Sequence, residues 1–98
     1  MAHTIPTRFT KGQMDLQKYI ESKGLQTILE YKVEPFILDI FLPELNKAVE
    51  YDGKPFHGKR RDEKRDKYIL ETYKIQIFRY KSEEDKEELN KFLEIEGE

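Results

Sequence analysis

The heptapeptide FILDIFL, Phe36 to Leu42, constrains the fold more than any other stretch of the chain. A strand this apolar needs cover on both faces, which places it inside a sheet with helices on either side. Asp39 stands at its centre. An ionised carboxylate there is costly unless a cation compensates it, most simply a metal ion or a basic partner. The strand therefore predicts both a layered architecture and a charged site inside it.

The neighbouring segments give the order of elements. TKGQMDLQKYIESKG carries Leu16, Tyr19 and Ile20 at helical spacing and stops at Gly24, a C-cap residue. QTILEYKV reads as a strand broken at Glu34-Pro35, where proline offers no ladder donor. PELN makes a turn, and KAVEYDG is the third strand, ended by Gly53. RDEKRDKYILETY has helical spacing, KIQIFRY is a fourth strand, and SEEDKEELNKFLEI is a terminal helix. Ser82 is its N-cap, with acids in the first turn where the helix dipole favours them. The order is α-β-β-β-α-β-α. At 98 residues there is room for one core. The division expected is an N-terminal arm over residues 1–10 and a single domain over 11–98. His3, in the arm, reads as incidental.

Side chains alternate along a strand, so Glu50 and Asp52 point to one face of the third strand. With Asp39 from the strand before, they predict a hard, all-oxygen environment suited to Mg²⁺ or Mn²⁺. The competing expectation is that Glu50 and Asp52 pair with the nearby Lys and Arg. On the following helix Asp62, Asp66, Ile69 and Tyr73 recur every three or four residues, which puts two acids on the apolar face. His57 lies between the strand acids and this helix, where it can take a proton from an attacking water.

The formal net charge of −2 conceals a segregation. Lys54 to Lys67 holds seven Lys or Arg against three acids, whereas Lys81 to Glu98 holds eight acids against three lysines. A basic segment of that density predicts a polyanionic partner. Lys54, Lys59, Arg60, Arg61, Lys64 and Arg65 are the candidate phosphate contacts, and DNA is the expected partner. No apolar run is long enough to span a bilayer or serve as a signal peptide, so no membrane association is expected. Cysteine is absent, which removes disulfides and thiolate zinc sites and fits a reducing, cytoplasmic setting.

These residues carry a family resemblance. The order of elements, the Asp of the second strand and the acid of the third resemble the core of the PD-(D/E)xK, or restriction-endonuclease-like, nucleases. LDIFLPELNKAVEYDGKPFHGKRRDEKRDKYILETYKIQIFRY looks more narrowly like the Vsr-type branch. That branch holds the very-short-patch mismatch-repair endonucleases and the EDxHD homing endonucleases. Its pattern is an acid in the first helix, an Asp-aromatic strand, E-x-D-G, a nearby His, and a helix with D-x-x-R-D or D-x-x-K. Asp39, Glu50, Asp52, Gly53, His57, Asp62, Arg65 and Asp66 fill those places, and the likeness runs from Thr10 to about Lys81. Two departures stand out. Asp52 occupies the place of the superfamily lysine, as in other Vsr-type members, and Gln13 occupies the place of the first-helix acid.

The resemblance implies a mixed four-stranded sheet flanked by helices and metal-dependent hydrolysis of a DNA phosphodiester. Asp39 and the E-x-D carboxylates would hold the metal, His57 would act as base, and Gln13, Asp62 and Asp66 would border the site. The small size implies a homodimer, a further DNA-binding domain, or recognition of DNA structure. Gln13 keeps open a catalytically impaired DNA-binding module. A further alternative is an oligomeric interaction protein using the acidic helix Ser82 to Ile95.

Overall fold

The computed structural model describes residues 10–52 and 59–96, without the side chains of residues 59–61. The elements are α1 (Lys11–Ser22), β1 (Ile28–Val33), β2 (Phe36–Leu42), β3 (Lys47–Tyr51), α2 (Lys59–Tyr73) and β4 (Gln76–Tyr80). A 3-10 turn over Glu83–Asp85 leads into α3 (Lys86–Leu93). The chain is thus α/β, in the order α-β-β-β-α-β-α.

The sheet order follows the sequence, β1-β2-β3-β4. The first two pairings are antiparallel, and β3 pairs with β4 in parallel across the α2 connection. Antiparallel strands can join through short turns, whereas a parallel pair needs a crossover, which the helix supplies. The β2–β3 turn ends on Asn46 at φ 54, in the left-handed region that asparagine tolerates. Its side-chain amide donates to Lys74 O at 2.8 Å and so ties this turn to the end of α2.

Both sheet faces are covered. On one, Leu16 and Ile20 of α1 and Leu89 and Leu93 of α3 pack on Ile40, Leu42, Val49 and Tyr80. On the other, Ile69 of α2 meets Val33, Leu38, Phe41 and Ala48. The apolar strand β2 therefore serves two cores at once. Ile69 is fully buried, and its truncation to Ala belongs to a class that costs about 2–5 kcal/mol.

The terminal helix differs from the single run over 82–95 that the sequence suggests. Ser82 caps a 3-10 turn, with its side chain accepting from Glu84 N–H and the Asp85 carboxylate accepting from Ser82 N–H. The α-helix proper begins only at Lys86. Tyr19 donates its hydroxyl to Asn90 Oδ1 at 2.6 Å and links α1 to α3.

The alternation of side chains changes phase at one level of the β1–β2 hairpin. Leu29 pairs with Ile40 and both pack toward α1 and α3, whereas Tyr31 pairs with Leu38 and both pack toward α2. Glu30 and Asp39 stand opposite each other between these pairs. Glu30 takes up the change with φ 56, outside the strand region. No helix among the described residues is long and apolar enough to cross a membrane.

Candidate active site

The site is built where β3 parts from β2. Regular pairing between them reaches Ile40 and Val49. Beyond that level two carboxylates replace carbonyls as acceptors for backbone donors. Asp39 N–H donates to Glu50 Oε2 at 2.8 Å, and Tyr51 N–H donates to Asp39 Oδ2 at 3.0 Å. On its other side β3 stays with β4, since Asp52 N–H donates to Tyr80 O at 2.7 Å. Asp39 and Glu50 thus brace the opening between two strands.

Glu50 is only 7% exposed. Burial pushes its carboxyl above the ordinary glutamate range, and the neighbouring Asp39 charge adds to the rise. The Arg65 charge and the Asp39 N–H bond pull it back without cancelling it. Arg65 Nη2 lies 3.0 Å from Glu50 Oε1, and Arg65 Nε lies 3.5 Å from Asp66 Oδ1.

A second guanidinium comes from β4. Register sets Arg79 beside Glu50, on the face that α2 covers. It grips Asp66 with two bonds, Nε to Oδ2 at 3.0 Å and Nη2 to Oδ1 at 2.9 Å. Its Nη1 lies 3.6 Å from Asp62 Oδ2 and 3.9 Å from Asp52 Oδ2. A bidentate pair of this kind is directional as well as charged, so it fixes α2 on the sheet. Arg79 was not among the residues expected from sequence. Its signal was present, because alternation along QIFRY puts Arg79 on the face of Ile77, the face that α2 covers.

The other expected residues divide as follows. Asp62 and Asp66 lie on the buried side of α2 with Ile69 and Tyr73, as their spacing predicts. Gln13 is 4% exposed and shares its helix face with buried Leu16 and Ile20. Its Nε2 has no hydrogen-bond partner among the described residues. Lys64 is exposed, as a phosphate contact requires. Arg65 instead points inward to Glu50 and Asp66, with its side chain 20% exposed. Lys54, His57 and the side chains of Lys59, Arg60 and Arg61 lie outside the described residues.

No group of three or more His, Asp or Glu in metal-holding arrangement occurs among the described residues. Asp52 lies near Arg79, and Asp39 is bonded across the strands with Glu50. Two acids still suit Mg²⁺, which usually takes one or two carboxylates together with water and substrate oxygens. The paired hard-oxygen donors are of the kind a small divalent cation takes.

Compared with known proteins, the chain matches no family model, no curated protein and no solved structure.

Proposed function

We propose that this chain is a metal-dependent DNA endonuclease of the Vsr-like PD-(D/E)xK type, or the catalytic domain of one. The observation that carries this reading is the Asp39–Glu50 brace at the parting of β2 and β3. The two acids stand where ladder carbonyls would otherwise accept, at the opening between two strands, with the Arg65 guanidinium beside Glu50. Here two acids are held together by backbone donors, one of them with its pKa raised.

Asp39 and Glu50 would hold Mg²⁺ or Mn²⁺. A cation there supplies Lewis-acid polarisation of a phosphoryl oxygen and offsets charge developing in the transition state. Lys64 at the surface of α2, with the basic residues Lys54, Lys59, Arg60 and Arg61, would position the DNA through its phosphates. His57 would accept a proton from the attacking water. Asp52, Asp62 and Asp66, gathered by Arg79, hold α2 in place beside the strand acids. A second copy or a further DNA-binding domain would supply the contacts that one small domain cannot make.

The deciding experiment is cleavage of supercoiled plasmid with Mg²⁺ or Mn²⁺ by the wild type and by Asp39→Asn. The variant keeps an oxygen for the Tyr51 N–H but loses a charged ligand. It should fold and fail to cut, and cutting at the wild-type rate would overturn the assignment. A second reading, a nuclease fold that binds DNA without cutting it, is favoured by the neutral, buried Gln13. Metal-independent DNA binding with no cleavage by the wild type would establish it.

A further inference from the structure

The two guanidiniums of the site are held very differently. Arg79 makes two aligned bonds to Asp66. Arg65 makes no aligned bond through either Nε or Nη2, although both atoms are buried and Nη2 is 3.0 Å from Glu50 Oε1. A buried donor without an aligned acceptor forfeits much of what a charged hydrogen bond provides. Arg65 therefore neutralises Glu50 as a close ion pair, without the two aligned bonds that lock Arg79 to Asp66.

It also has somewhere to go. A groove of about 640 Å³ opens beside α2, lined by Pro35, Phe36, Asp62, Lys64, Arg65 and Tyr68. The Arg65 guanidinium already lies 5.7 Å from the Phe36 ring centroid, within range of a cation–π contact. Rotation outward would take it from Glu50 toward Phe36 and the exposed Lys64, where a phosphate could meet both charges.

We propose that Arg65 is a resident counter-cation at Glu50 that a divalent cation displaces, and that the displaced guanidinium becomes a phosphate contact. This rests on the reading of Asp39 and Glu50 as a cation site. Two positive charges at Glu50 repel one another, so cation binding disfavours the inward position of Arg65. Metal loading and DNA grip are then coupled through a single side chain, and the coupling is reciprocal. The site holds DNA tightly only when it is ready to cut.

Calorimetric titration with Mg²⁺ and Mn²⁺, without DNA, tests the first half on the wild type, Arg65→Ala and Arg65→Lys. Arg65→Ala should bind the cation about 5- to 150-fold more tightly than wild type. Arg65→Lys, which keeps the charge, should stay closer to wild type. Anisotropy of a labelled duplex with and without Ca²⁺ tests the second half. Wild type should gain DNA affinity on adding Ca²⁺, and Arg65→Ala should lose most of that gain. Equal cation affinity in wild type and Arg65→Ala overturns the displacement, and an undiminished gain overturns the phosphate role. If none of the three proteins binds a divalent cation, the cation site itself is wrong. Should Arg65→Ala fail to fold, the Nε–H resonance of Arg65 in the wild type decides the matter. Its exchange with water should accelerate on adding Mg²⁺, and exchange unchanged at saturating cation overturns the proposal.

Discussion

Replacing Arg79 with Met keeps most of the apolar stem and removes the charge that α2 and the sheet share. The variant deletes two charge-assisted bonds, at 2.9 and 3.0 Å, to Asp66. Each such bond contributes about 1.5–3 kcal/mol. The Asp66 side chain is 26% exposed, so water recovers part of the loss. The net penalty is then about 3 kcal/mol, the lower edge of what breaking a buried pair costs. For a domain of this size each kcal/mol moves the melting point by about 4–8 °C, so the fall should be about 12–24 °C. The assay is thermal unfolding followed by circular dichroism at pH 7 without metal. Asp66→Asn in the Arg79→Met background should recover part of the loss by removing the stranded charge. Lys11→Ala, which breaks an exposed pair with Asp15, should leave the melt unchanged. An Arg79→Met melting point within about 4 °C of wild type would refute this account of how α2 is fixed.

The raised Glu50 pKa has a definite sign in stability. Protonation is favoured by the folded state, so its contribution is complete below the ordinary glutamate value and is lost as pH rises through the folded value. Side-chain carboxyl NMR should place the Glu50 midpoint above that of an exposed Glu, and Mg²⁺ should lower it. Gly12→Ala should destabilise by about 1–3 kcal/mol in chemical denaturation, the range of overpacking. A Cβ there would collide with the hydroxyl oxygen and Cζ of Tyr51 and lie 2.9 Å from its Cε2. Gln13→Glu should lower the melting point without metal, because a buried acid is added. Partial recovery with Mg²⁺, together with faster cleavage, would tie the position to the site, and a loss that Mg²⁺ leaves untouched would mark it as packing alone.

Local patterns carried most of the fold. FILDIFL occupies β2 end to end because its composition, its flanking proline and the PELN turn all agree. The face of α1 followed from Gln13, Leu16 and Ile20, and that of α2 from Asp62, Asp66, Ile69 and Tyr73. The site was legible only in part, since its acids are local and its cations are not. Glu50 and Asp52 are neighbours in sequence, whereas Arg79 reaches them through the parallel register that β4 adopts after α2. Arg65 was read with the basic residues around it, although it lies four residues before buried Ile69 and so shares its helix face. A dense run of Lys and Arg conceals a member turned inward. The phase change has no sequence signal, because Glu30, which adopts the positive φ, is not a residue that favours it.

The carboxylate brace makes two rungs of the sheet chemically conditional. Elsewhere the strands are joined by amides and carbonyls, whose bonding is indifferent to proton or cation activity near neutrality. The amides of Asp39 and Tyr51 donate to side chains that can be protonated or recruited elsewhere. Exchange of the Asp39 amide with deuterium therefore reports the state of the Glu50 carboxylate. The backbone here serves as a gauge of what its side chains hold.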